Sequence, residues 1–166
     1  MNNELYSLYC IVILKRLATE DALGEHLPKM AAQASNPKLR EALTNHWEET
    51  TRQRATLAKL APQHSLLEAE AMNEPFAMRL DETEEMALAL KDPSVRDAFI
   101  VTAVQTVEHY EIAHYNTLLA WSEIEYPDNN DKFSLILAAE EKMSTLLQSM
   151  ATGGLFAEGI NATAQT

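Results

Sequence analysis

Chain breakers are scarce in this sequence, and where they fall decides what it can fold into. Four glycines and six prolines are spread over 166 residues. A sandwich or barrel needs a turn about every 8–12 residues, and each turn usually takes Gly, Pro, Asn or Asp. The spacing here predicts long helices instead. Hydrophobic residues form 46% of the chain and charged residues 23%, a composition that can bury one core and is unlike that of disordered chains.

Four long helical stretches lie between the breakers. The first is predicted over about 3–34, with Pro28 a kink near its end. Ser35-Asn36-Pro37 then places a cap residue before a proline in the first helical turn, and the second helix continues to about Leu60. Residues 61–91 suggest one or two short helices, around Ala71-Met72, Phe76-Ala77-Met78 and Met86-Ala87-Leu88. Asp92-Pro93-Ser94 repeats the cap-plus-proline start, and the third long helix runs to about Tyr126. Pro127-Asp128-Asn129-Asn130 breaks it; the fourth spans about 131–150 and stops at Gly153-Gly154. Two short turns and one long middle link predict an all-α antiparallel four-helix bundle of ferritin-like connectivity. Its long crossover carries the short helices. The expected division is a bundle over 1–154 and a C-terminal tail over 155–166.

Acidic residues outnumber basic ones 25 to 13, a formal charge of −12. Nucleic-acid binding, which needs Lys and Arg on phosphates, is not expected; attraction of cations is. The single cysteine, Cys10, excludes an internal disulfide and any Cys-x-x-Cys site, and a reducing cytoplasmic location is expected. The apolar run Cys10–Leu14 is too short to span a bilayer, so neither a membrane segment nor a signal peptide is predicted.

The informative residues are those that interrupt the apolar stripes. On the third long helix the stripe reads Val101, Val104, Glu108, Glu111, Tyr115, Leu118; on the second, Leu39, Leu43, His46, Glu49, Gln53, Leu57, Leu60. On the first, Glu20 stands between Leu17 and Leu23; on the fourth, Glu140 and Glu141 lie between Ile136-Leu137 and Met143. Every long helix thus carries a carboxylate at mid-length on its inner face. Lys and Arg are absent from these inner positions except Arg52 at their edge, so no salt-bridge partner is expected in the core. An isolated buried carboxylate is expensive and takes up a proton or a partner. A pair of divalent cations accounts for all of them, with four carboxylates neutralising two ions and His46 donating nitrogen. For any one position the plainer alternative is a carboxylate reaching solvent at a helix seam, and a lone histidine on an apolar stripe is more often a core residue. Four helices showing the same feature at one depth favour the metal. Gln53 is expected behind a ligand as a hydrogen-bond partner, His109 and His114 at the seam or in solvent, and Trp47, Tyr110, Tyr115 and Trp121 as packing residues in the core or behind the ligands.

The strings His46-Trp47-Glu48-Glu49-Thr50, Val107-Glu108-His109-Tyr110-Glu111-Ile112-Ala113, Tyr115 with Thr117-Leu118, Glu140-Glu141-Lys142 and Leu27-Pro28-Lys29-Met30-Ala31 resemble those of the YciE/YciF family of bacterial ferritin-like, rubrerythrin-related proteins. The resemblance covers about residues 10 to 150. It implies a di-metal centre, a role in stress response and a homodimer. Carried over, Glu20, Glu49, Glu108, Glu111 and one of Glu140 or Glu141 match ligand positions. The usual Glu-x-x-His pattern is missing, since Arg52 follows Glu49, Met143 follows Glu140 and Ser144 follows Glu141. The leading expectation is a ferroxidase-type oxidoreductase with two iron ions, acting on Fe(II) with O₂ or peroxide. The alternatives are a non-catalytic metal-binding or structural stress protein and a di-manganese peroxide-degrading enzyme. The apolar surplus Leu8, Ile11, Val12 and Leu14 at the start of the first helix is expected to be covered in part by a partner subunit or by the 61–91 link.

Overall fold

The computed structural model describes residues 3–61, 74–154 and 157–165. Helix α1 spans Asn3–Gln33, α2 Pro37–Leu60, α3 Glu74–Ala89, α4 Pro93–Glu125 and α5 Asn130–Thr152, and a short α6 follows at Ile160–Thr163. The breakers act as their chemistry requires. The Asn36 side chain accepts from the backbone N–H groups of Lys38 and Leu39, and Asp92 does the same for Ser94 and Val95. A 3₁₀ turn at Pro127–Asn129 separates α4 from α5, and Gly153 ends α5 at φ 75°, a left-handed angle that suits glycine. The expected helix around Ala71-Met72 lies outside the described residues; α3 takes in Phe76-Ala77-Met78 and Met86-Ala87-Leu88.

Helix α1 runs through Pro28, whose ring nitrogen cannot donate to the Gly24 carbonyl one turn back. That carbonyl instead accepts from the Trp47 indole N–H at 3.1 Å, so the proline's missing hydrogen bond is replaced from α2.

Paired positions establish the topology. Gly24 meets Trp47 and Asp21 meets Arg54, so α1 and α2 are antiparallel. Gln105 meets Gln148 and Ser122 meets Asn130, so α4 and α5 are antiparallel. Glu20 meets Tyr115 and Ser35 meets Asp97, which sets α1 antiparallel to α4. Helices α2 and α4 are therefore parallel, and the segment joining them crosses the length of the bundle. On that crossover α3 is tied to α1 by His26, which lies 3.1 Å from Glu84 and 3.4 Å from Asp81. The Asp97 carboxylate accepts from the Ser35 and Asn36 N–H groups at 2.8 Å each, holding the α1–α2 turn to the start of α4.

The core forms two apolar layers. One contains Leu23, Leu27, Met30, Leu39, Leu43, Ile100, Val104 and Leu147; the other Tyr9, Ile13, Leu17, Leu57, Leu118, Phe133 and Ile136. After Gly153 the chain turns back: Gly153–Gly154 pairs antiparallel with Ala157–Glu158, and Ile160 is buried in the first layer. Gly159 is required there, because a Cβ would come 2.4 Å from the Ala151 carbonyl oxygen. Among the described residues no helix is long and apolar enough to cross a membrane.

Candidate metal centre

Between the two apolar layers lies a polar one. Its side chains occupy the inner positions of the stripes that fill the core above and below, because the 3.6-residue period continues unbroken through mid-helix. Glu20 from α1, His46 and Gln53 from α2, Glu108 and Glu111 from α4 and Glu140 from α5 are all buried. One donor atom from each of His46, Glu108, Glu111 and Glu140 lies within 4.8 Å of the others. Donors bound to one divalent ion at about 2.1 Å are separated by about 3–4.2 Å, so the four need contract only slightly around an ion.

The hydrogen bonding leaves this capacity unused. His46 Nε2 lies 2.9 Å from Glu108 Oε1, and neither ring nitrogen has a further partner. Both oxygens of Glu108, both of Glu111, and one each of Glu20 and Glu140 are buried without a hydrogen bond. Two fixed contacts orient the rest. The Tyr115 hydroxyl donates to Glu20 Oε1 at 2.6 Å, and Gln53 Nε2 donates to Glu140.

Burial and mutual repulsion shift the titration of these groups. Desolvation, then the Glu111 charge, holds Glu20 well above the usual carboxylate range, and the same two causes raise Glu140. Burial and the neighbouring Glu108 push Glu111 up to about 7, against the pull of Arg16. At His46 burial opposes the charged ring, but Glu108 outweighs it and the net shift is upward. Tyr115 is held well above the phenol range by burial and by Glu20. A divalent cation among these groups satisfies the orphaned oxygens and the repulsion together. The donor set fits such an ion.

The other expected positions stand apart. Glu49 is half-buried at the margin, within electrostatic reach of His46, and its neighbour Thr50 turns inward instead. Glu141 is exposed, so of the adjacent pair Glu140 is the one facing the centre. His109 is exposed to solvent and His114 is half-buried. Arg52 is not beside the centre: it points to solvent, 4.0 Å from Glu48. The expectation that no cation lies in the core is also corrected, because Arg16 is fully buried with its guanidinium 4.5 Å from the centre of the Tyr110 ring. The sequence carried that signal: Tyr9, Ile13, Arg16, Glu20, Leu23 and Leu27 alternate spacings of four and three on one face of α1.

These features define an all-α bundle of ferritin-like topology with a buried His/Glu cluster able to hold a metal ion. The chain belongs to the YciE/YciF family, matched over residues 8–164 by the model described as a domain of unknown function, DUF892. It is 36% identical over 108 residues to Protein YciF of Escherichia coli strain K12, a match covering 64% of each chain, just under two thirds of that relative's length. Its fold is similar to that of YcfI from Rhodopseudomonas palustris, with a TM-score of 0.76, 29% identity and coverage of 91% of this chain and 99% of that one. It is also similar to the crystal structure of the E. coli stress protein YciF, at a TM-score of 0.74 and 25% identity, covering 90% of this chain and 94% of that one.

Proposed function

We propose that this protein is a di-metal carboxylate protein that takes two iron ions at its mid-bundle centre and oxidises Fe(II) with O₂ or peroxide. The supporting observation is the group of four fully buried donors, from three helices, whose oxygens have almost no other partner. His46, Glu108, Glu111 and Glu140 would hold one ion, with Glu49 at the margin beside His46; Glu20, sharing Glu111, would hold the second. Bound iron would supply electrons to the oxidant and Lewis acidity at the site. The chain's own part is positional. Tyr115 and Gln53 each hold one oxygen of a glutamate and so aim the other, and the apolar layers above and below exclude bulk water.

A manganese pair fits the same oxygen-rich donors, with peroxide as substrate. A metal-binding protein without turnover is favoured by one observation, the buried cation Arg16 beside the carboxylates. Metal analysis of protein purified without chelator, followed by O₂ and peroxide consumption on anaerobic addition of Fe(II), separates the three. Protein-dependent oxidation of Fe(II) supports the ferroxidase. Bound manganese with peroxide loss supports the second reading, and bound metal with no consumption the third. No retained or added metal would overturn the centre altogether. We further propose a homodimer, supported by the exposure of Tyr6 and Leu8 on the apolar start of α1; a monomeric elution mass at micromolar concentration speaks against it.

A further inference from the structure

Arg16 is the only Lys or Arg among the described residues that is buried, and it is fully so. It stands one turn before Glu20 on α1, and the ring beneath its guanidinium, Tyr110, is the residue before Glu111 on α4. It therefore sits at the α1–α4 seam, on the Glu20 side of the centre. None of its three guanidinium nitrogens has a hydrogen-bond partner, although the group offers five donors. Its charge acts on both Glu20 and Glu111, favouring their ionised forms. On the opposite side the groups differ in kind. There the imidazole of His46 faces Glu108, Gln53 donates to Glu140, and Glu49 adds negative charge from the margin.

The centre thus has two unlike halves, one offering imidazole and amide groups and the other a permanent cation and a phenol proton. On the metal-centre reading above, we propose that Arg16 is a built-in cation of the carboxylate centre that makes its two metal positions unequal. The first ion goes to His46, Glu108, Glu111 and Glu140, and the second, beside Glu20, is held weakly. The charges support this order. Four fully buried glutamates, when ionised, carry four negative charges. Arg16 cancels one and a first divalent ion two, so one is left to attract a second ion. Without Arg16 two would be left, matching the charge of that second ion. A unit charge several ångströms away, at the effective dielectric of protein sites, changes an ion's binding constant by about tenfold or more.

Anaerobic calorimetric titration of the full chain with Mn(II) or Co(II) tests this, using wild type, Arg16→Met and Arg16→Lys. Methionine keeps the length of the side chain and removes its charge; lysine keeps the charge and loses the planar fork. Wild type should bind one ion tightly and the second at least about tenfold more weakly. Arg16→Met should tighten the second step by about tenfold or more, and Arg16→Lys should behave as wild type. Circular-dichroism melting of each metal-free variant establishes that it is folded, and Arg16→Gln replaces Arg16→Met should the latter not fold. Unchanged stoichiometry and affinity in Arg16→Met, or Arg16→Lys following Arg16→Met, would overturn the role of Arg16 while leaving the metal centre standing. Binding of no ion by any variant would overturn the centre, and this role with it.

Discussion

The apolar layers and the polar layer between them are built on the same four helices with the same three- and four-residue spacing. Leu39 and Leu43 lead directly into His46; Val101 and Val104 lead into Glu108 and Glu111. In the apolar layers, burial itself is stabilising, at about 1.5–3 kcal/mol for each large side chain taken out of water. In the middle layer it works the other way, since each desolvated carboxylate opposes folding until a proton, a donor or a cation answers it. Helical periodicity therefore delivers side chains to the interior without regard to their chemistry. Only the partners found there decide whether a layer adds to stability or stores a demand for a ligand.

That contrast can be broken at either end. Phe133, fully buried in the second layer, should lose about 3–5 kcal/mol on replacement by alanine, with or without metal, in thermal or urea unfolding. In the polar layer, replacing Glu108 and Glu111 together by glutamine should do the reverse in metal-free protein. Stability there should be unchanged or higher by roughly 1 kcal/mol or more, because two burial penalties are removed. Adding Mn(II) or Fe(II) at about 100 times its dissociation constant should stabilise wild type by about 2.7 kcal/mol and the double variant hardly at all. An equal metal-induced shift in both would show that these glutamates are not the site.

The pH dependence sharpens the same distinction. Glu111 titrates at about 7 in the fold against 4.5 when unperturbed, so between those values the native state keeps a proton that the unfolded chain releases. Metal-free stability should accordingly be fully present below about pH 4.5 as far as this group is concerned, and fall as pH rises through 7. Bound metal requires the ionised carboxylates, so its stabilising effect should grow over the same range. A metal-free profile that climbs towards pH 7, with no partial loss traceable to Glu111, would contradict this. The smallest effect is expected at Tyr115. Removing its hydroxyl as Tyr115→Phe deletes the donor to Glu20 and should lower metal-free stability by about 1 kcal/mol in urea unfolding.

The sequence by itself determined the helices and their ends, because caps such as Asn36 and Asp92, the turn at Pro127 and the stop at Gly153 act within a few residues of chain. It determined the depth of the polar layer for the same reason, since Glu20, His46, Glu108, Glu111 and Glu140 all fall on local stripes. Whether a borderline position faces in or out was decided by tertiary structure. A single residue step is about 100° of helix rotation, and only packing against the neighbouring helices chose Thr50 over Glu49 and Glu140 over Glu141. Arg16 needed the fold as well. Its place on the stripe of α1 was visible, but a long basic side chain can reach solvent from such a position, and only the packed fold, with the Tyr110 ring against its guanidinium, kept it inside.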